Sequence, residues 1–435
     1  MGCLSYCVAL RSATLLLLLA QAAATTPGEP VIIIPGDGGC QLEARLLGKP
    51  KVKHWWCYKD SSWFRLWLDV KQLLPGQVDC WADNMRQVYH PATVTTEAHY
   101  SNSPGVEVRV PGWGDTRSVE YLDPVIRGGG SVMFAALVEH LAAAGGVRNA
   151  SIRAAPYDFR RIPDGEYIQQ LRVLVENTAA MNAGAPVALV SHSMGCLVAS
   201  RFLAAMTEEW KATHVARWAG VSCAFGGSES MVRLFASGNN LGVSAVKPSA
   251  IREEQRSSEA NFWLLPSPHV FRDAVLVSTP DRNYTADDYE KFFADVGFPE
   301  GWEQYQRVRE TTGRLWEELP GVPFVHFYGT EVDTPALHSW PRGEFKKQPR
   351  VTAYASGDGT LNIRSLSAVE AAWGGQGPPG RYEAKEYPGE THTGILQNKQ
   401  FLADLLATLG WVSEPIQKHA GSGKPDSFLR RVRTV

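Results

Sequence analysis

The chain predicts a doubly wound α/β fold, an open and mostly parallel sheet with helices on both faces. Three features carry that expectation: short, wholly apolar runs, helical periodicity after them, and small or turn residues closing each run. The first run is Val31-Ile32-Ile33-Ile34, β-branched throughout and ended by Pro35-Gly36, which suits a strand buried on both faces. Its turn is Gly36-Asp37-Gly38-Gly39. The second is Val187-Ala188-Leu189-Val190; a sharp turn follows, then Cys196 to Leu203 with apolar residues at helical spacing. Trp218 to Ser222, Phe324 to Gly329 and Tyr382 to Tyr387 repeat the pattern of a short run and a turn. Between Gly227 and Pro320 the segments become Trp- and Phe-containing and helix-leaning, so that block is expected to cap the sheet. No internal repeat or low-complexity segment interrupts the chain.

Composition narrows the class. The 435 residues are 44% hydrophobic and 20% charged, enough to bury a sizeable core. Forty-three basic against 45 acidic side chains give a formal charge of −2, without the basic footprint of a nucleic-acid binder. At the amino end, Arg11 precedes an apolar stretch through Leu15 to Leu19, and Ala22-Ala23-Ala24 offers small residues for cleavage. Residues 1–24 therefore read as a secretory signal, too short for a spanning helix, with an uncleaved anchor as the alternative. Residues 413–435 read as a solvated tail. Losing Cys3 and Cys7 with the signal leaves Cys40, Cys57, Cys80, Cys196 and Cys223, an odd set for an oxidising compartment. In that setting Asn149-Ala150-Ser151 and Asn283-Tyr284-Thr285 are glycosylation acceptors.

The chemistry centres on Ser191-His192-Ser193-Met194-Gly195, which lies between the second strand and its helix. A tight strand-to-helix turn holds its central residue in a strained conformation and lifts the hydroxyl above the sheet edge, so both flanks must be small. A capping Ser at a helix start is the plainer reading of Ser193. The strand, the small flanks and the helix together favour a nucleophile. A serine hydroxyl needs a base, and the base a carboxylate, in the chain order Ser, Asp, His of an α/β-hydrolase. His392, in the loop Pro388 to Gly394 after the last strand, fits the base. For the acid, Asp358 occupies the turn Gly357-Asp358-Gly359, while Asp333 follows the Phe324 strand more closely; pattern alone leaves both open. The oxyanion donors expected are the backbone N–H groups of Met194 and Asp37. The Gly-rich turn at Asp37 lacks the spacing of a nucleotide-binding loop. His192 and His326 read as packing or surface residues.

Several longer stretches carry a resemblance: Pro35-Gly36-Asp37, Gln41-Leu42-Glu43-Ala44, Asp79-Cys80-Trp81, Val110-Pro111-Gly112, Ala155-Pro156-Tyr157-Asp158, His192-Ser193-Met194-Gly195, Trp263-Leu264-Leu265-Pro266 and Gly357-Asp358-Gly359-Thr360. Together they resemble the lecithin:cholesterol acyltransferase family, its lysosomal phospholipase branch most, from about Val31 to Leu409. The resemblance implies an α/β-hydrolase fold with a cap and lid insertion and a small N-terminal membrane-binding excursion. It implies Ser193, Asp358 and His392 as the triad, which decides for Asp358 over Asp333. Asp37 and Met194 become the oxyanion donors and Cys57–Cys80 a disulfide. In the acyltransferase branch a Cys commonly stands at the place of Asp37. On this basis residues 25–412 form the hydrolase unit, with 46–90 the membrane-binding region and 228–320 the cap and lid.

The chain departs from the family at Gly39-Cys40-Gln41 and at Cys223-Ala224-Phe225-Gly226-Gly227, and His326 and Glu370 stand near the places of the family's second disulfide. Trp55, Trp56, Trp63, Phe64 and Trp67 crowd the span around Cys57. They are expected to meet a phospholipid membrane surface at headgroup level, with packing on the core as the alternative. Phe235 to Ile251 matches the family's lid. The expectation is a lysosomal or secreted phospholipase A and O-acyltransferase that moves an acyl group from a glycerophospholipid to water or a lipid alcohol. No metal or organic cofactor is implied. The rivals are a sterol acyltransferase and a catalytically dead lipid-binding protein.

Overall fold

The computed structural model describes residues 28–240, 242–313, 315–373 and 381–411, so the expected signal (1–24) and tail (413–435) lie outside the described residues. Six strands form the central sheet: β1 (Val31–Ile34), β2 (Ile152–Ala154), β3 (Val187–His192), β4 (Val215–Val221), β5 (Phe324–Thr330) and β6 (Tyr382–Pro388). Their spatial order is β2-β1-β3-β4-β5-β6, and every neighbouring pair runs parallel. Helices on both faces explain why β1, β3 and β5 are buried at every residue, since a covered parallel sheet has no wet side. The edge strand β6 carries Glu383, Lys385 and Glu386, charges that discourage pairing with another chain. β2 is not foreshadowed by the sequence pattern. Its three residues are too few to show a period, and its pairing with β1 is settled by contact across the sheet.

The chain leaves β1 for the edge strand β2 and then crosses back to β3 on the far side of β1. Loops after β1 and β3 therefore diverge and leave a crevice at their carboxyl ends, where open α/β sheets hold ligands. Helices Gly165–Met181 and Gly195–Ala204 flank β3. The first starts where the Asp164 carboxylate accepts the N–H of Tyr167.

Two excursions stand beside the sheet. Leu42–Leu46 pairs antiparallel with Ser61–Trp67 and with Val106–Arg109, and a Cys57–Cys80 disulfide closes the intervening segment. In the other, helices Ser230–Ser237, Pro248–Arg256, Glu259–Trp263 and Tyr289–Asp295 gather Phe235, Phe262, Phe293 and Phe298 into one apolar cluster. This block is not purely helical. Val277–Ser278 and Asn283–Tyr284 join Val332–Ser339 and Arg350–Gly357 in a four-stranded sheet that crosses position 320. No helix among the described residues is long and apolar enough to cross a membrane.

Glu229 and Glu254 of this segment are also buried. Loss of hydration pushes Glu229 and Glu254 each up to about 8, against an ordinary value of 4.5; Arg364 and Arg160 offset this only in part. As pH rises from about 4.5 towards 8, the unfolded chain ionises these groups while the native state keeps them protonated, so stability falls with rising pH. The expected loss amounts to a few kcal/mol per carboxyl across that window, because each tenfold difference in proton affinity between the two states is worth about 1.4 kcal/mol. Thermal unfolding followed at mildly acidic and mildly alkaline pH should show it. Glu229→Gln and Glu254→Gln should flatten the dependence; an unchanged slope in both variants would exclude these groups as its source.

Candidate active site

Ser193 sits between β3 and helix Gly195–Ala204 with φ +56°, the left-handed region that costs a non-glycine residue about 1–3 kcal/mol. Its N–H donates to the Val221 carbonyl at 2.9 Å and its own carbonyl accepts the Cys196 N–H at 3.1 Å, which pins the turn on both sides. The need for small flanks is steric. A Cβ on Gly195 would collide with the carbonyls of Pro35 and Ile34, and one on Gly36 would come within 2.7 Å of the Ser193 Cβ.

His392 lies in the loop after β6. Its Nε2 is 2.9 Å from the Ser193 Oγ and its Nδ1 is 2.7 Å from Asp358 Oδ2. Asp358, which follows strand Arg350–Gly357, is itself oriented: its Oδ1 accepts N–H groups from Leu361 at 2.7 Å and Thr360 at 3.0 Å. Burial alone would raise this carboxyl, but the neighbouring His392 and the two N–H donors outweigh it and hold Asp358 below the usual carboxylate range. An ionised Asp358 keeps the proton on Nδ1 and leaves Nε2 to accept from the serine hydroxyl. The structure brings Ser193, His392 and Asp358 together. Asp333 is elsewhere, exposed on strand Val332–Ser339 and paired in register with Ser356.

The loop after β1 faces this group. The backbone N–H groups of Asp37 and Met194 donate to no protein acceptor among the described residues, the state expected of donors awaiting an oxyanion. Three contacts that no sequence signal announces hold the loop. The Tyr157 hydroxyl donates to the Pro35 carbonyl at 3.0 Å, the Trp67 Nε1 donates to the Gly38 carbonyl at 2.7 Å, and the Gly39 N–H donates to the Gly36 carbonyl at 3.0 Å. A cleft of about 220 Å³ opens beside Asp37, walled by Trp67, Phe159 and Leu234.

The cysteines sort by partner. Cys57 is joined to Cys80, and Cys196 to Cys223, the latter tying the first turn after the elbow to the segment beyond β4. Cys40 is the free cysteine among the described residues; burial pushes its thiol up to about 12 and its Sγ points at the Tyr157 carbonyl at 3.1 Å. His326, buried in β5, accepts the Cys223 N–H through Nε2 at 3.1 Å.

The five aromatics divide, and part of the expectation needs correction. Trp55 is 89% exposed and Trp56 42% exposed, and Tyr58, outside the expected set, is also in the open at 77%. Trp63 is half-buried beneath the guanidinium groups of Arg45 and Arg109. Phe64 and Trp67 are not part of the exposed patch: both pack against the core, and Trp67 contacts Trp81 and Phe159. Pairing of their strand with Leu42–Leu46 draws them inward. Asn149 and Asn283 are both exposed.

The family model described as lecithin:cholesterol acyltransferase matches residues 63–313 of this chain. The "Lysosomal phospholipase A and acyltransferase" of Mus musculus is 40% identical over 412 residues, 92% of this chain and 96% of that protein. The "Lecithin-cholesterol acyltransferase-like 1" of Arabidopsis thaliana is 38% identical over 410 residues, 88% of this chain and 90% of its own length. The "Phosphatidylcholine-sterol acyltransferase" of Mus musculus is 40% identical over 354 residues, covering 80% and 78% respectively. Among solved structures, one chain of the Tle4-Tli4 complex superposes with a TM-score of 0.51 at 14% identity, over 88% of this chain and 97% of that one. That likeness concerns the fold alone, which is the α/β-hydrolase fold.

Proposed function

Because this chain belongs to the lecithin:cholesterol acyltransferase family, we propose that it is a lysosomal or secreted phospholipase A and O-acyltransferase working through an acyl-enzyme on Ser193. The observation that carries the reading is the relay itself, His392 bridging Ser193 and Asp358 at 2.9 and 2.7 Å. Ser193 Oγ attacks the acyl carbonyl of a glycerophospholipid while His392 Nε2 takes its proton. The negative charge that forms on the carbonyl oxygen is met by the N–H groups of Asp37 and Met194. As the tetrahedral intermediate collapses, the lysolipid oxygen leaves with the proton from His392. Water or a lipid alcohol then attacks the acyl carbon and gives its proton to the same Nε2. As the second tetrahedral intermediate collapses, the bond to Ser193 Oγ breaks and that oxygen takes the proton back from His392. Asp37 supports the phospholipase branch over a sterol acyltransferase, and a complete relay argues against an inert lipid carrier.

The wider assignments belong to the same proposal. Within the hydrolase unit (25–412), the region 46–90 docks on the membrane through Trp55, Trp56 and Tyr58, and the 228–320 cap covers the acyl groove. Asn149 and Asn283 carry glycans. Mixed vesicles of phospholipid and a long-chain lipid alcohol test the reaction: fatty acid, lysophospholipid and acylated alcohol should appear together. No acyl product on any vesicle would defeat the reading. Replacing Trp55 and Trp56 by Ser should weaken vesicle binding and vesicle turnover roughly tenfold or more, while hydrolysis of a short soluble ester stays intact, because buried aromatic area drives docking and not chemistry. Equal losses on both substrates would overturn the docking role.

A further inference from the structure

We infer that His192, the residue before the nucleophile, is a positioning residue that holds the catalytic histidine by its main chain. Successive side chains of a strand point to opposite faces, so the residue ending β3 turns away from the Ser193 hydroxyl. Its Nε2 lies 2.9 Å from the backbone carbonyl oxygen of His392, across 200 residues of sequence. A carbonyl only accepts, so His192 carries its proton on Nε2 and donates. The His392 N–H in turn donates to the Asp358 carbonyl at 2.8 Å. His392 is therefore held at four atoms: its N–H and side-chain Nδ1 by Asp358, its carbonyl by His192, and Nε2 at Ser193.

The surroundings allow His192 one state. The His392 ring lies 4.8 Å away, the Phe134 ring is edge-on at 6.1 Å, and a Cβ added to Gly36 would meet Nδ1 at 3.3 Å; Asp358 is the carboxylate whose charge reaches His192. Nδ1 is buried with no partner, so a second proton there would have no acceptor. It would also set a positive charge beside the imidazolium that forms on His392 during the reaction. Burial drives His192 down to about 3, which keeps it a neutral donor in acidic and neutral compartments alike. The cost of the orphaned Nδ1 is offset by a base whose backbone cannot drift from the elbow. A drift of a fraction of an ångström there is enough to lose much of the rate.

The inference rests on the Ser193 relay proposed above, so the test includes Ser193→Ala. On a soluble ester, His192→Leu should lower kcat roughly tenfold or more at unchanged KM, slow labelling of Ser193 by a fluorophosphonate in parallel, and broaden the low-field proton resonance of the His392–Asp358 hydrogen bond. His192→Gln, whose amide nitrogen reaches the same carbonyl, should restore most of the rate. Should the leucine variant not fold, His192→Asn, polar but too short to reach, takes its place. A folded leucine or asparagine variant with wild-type kcat and resonance overturns the positioning role, as do glutamine and leucine variants that are equally slow. In those cases an inactive Ser193→Ala leaves the relay standing, whereas an active one overturns both.

Discussion

Ser193→Ala is expected to abolish acyl release from vesicles and from soluble esters alike, a loss on the order of 10⁴-fold to 10⁶-fold in kcat. The change removes one hydroxyl from a residue that is 9% exposed, and the backbone ties of the elbow, Ser193 N–H to Val221 and Cys196 N–H to Ser193, involve no side-chain atom. The fold and the exposed Trp55 and Trp56 are left as they were, so vesicle binding should be nearly unchanged. Sedimentation with vesicles and fatty-acid release, measured on the same preparation, separate docking from chemistry. Turnover that survives at more than about a thousandth of the wild-type rate would sink the elbow assignment, since activity without a nucleophile is confined to what the oxyanion donors and binding supply.

Asp358→Asn should lose about 10⁴-fold in kcat, and Asp333→Asn almost nothing. The amide is nearly isosteric, so the N–H groups of Leu361 and Thr360 keep an oxygen to donate to. What changes is His392. An amide NH₂ facing Nδ1 favours the tautomer with its proton on Nε2, which cannot accept from Ser193, and the imidazolium formed in the reaction loses its counter-charge. Asp333 lies exposed on a strand that pairs with Arg350–Gly357 and touches none of this. Parallel kinetics of the two variants on a soluble ester decide the matter. A reversed ranking would transfer the acid role to Asp333 and leave the Asp358 geometry without a catalytic purpose.

Much of this arrangement is written locally. The apolar runs of β1, β3 and β5, the small flanks of Ser193 and the turn that carries His392 are legible because strand burial and elbow sterics act over a handful of adjacent residues. The two candidate acids are legible as well, but their ranking on the residues alone is not. Which carboxylate reaches His392 depends on how Val332–Ser339 and Arg350–Gly357 pair, and pairing between strands is a contact across space. The family resemblance chooses Asp358, and the distance to Nδ1 shows what that choice means physically.

By itself the sequence determined the parallel sheet, a tight strand-to-helix turn at Ser193 and a histidine in the loop after the last strand, since each follows from short-range pattern. Tertiary structure alone decided the rest. It added β2, carried Val277–Ser278 and Asn283–Tyr284 into a sheet with Val332–Ser339, sent Phe64 and Trp67 inward while leaving Trp55 and Trp56 in the open, joined Cys196 to Cys223, and set His192 against the carbonyl of a residue 200 positions away. The reason is common to all of these. Exposure, cross-linking and a hydrogen bond to a distant main-chain atom are properties of which surfaces meet, and a residue's type and neighbours in sequence do not say what will be packed against it.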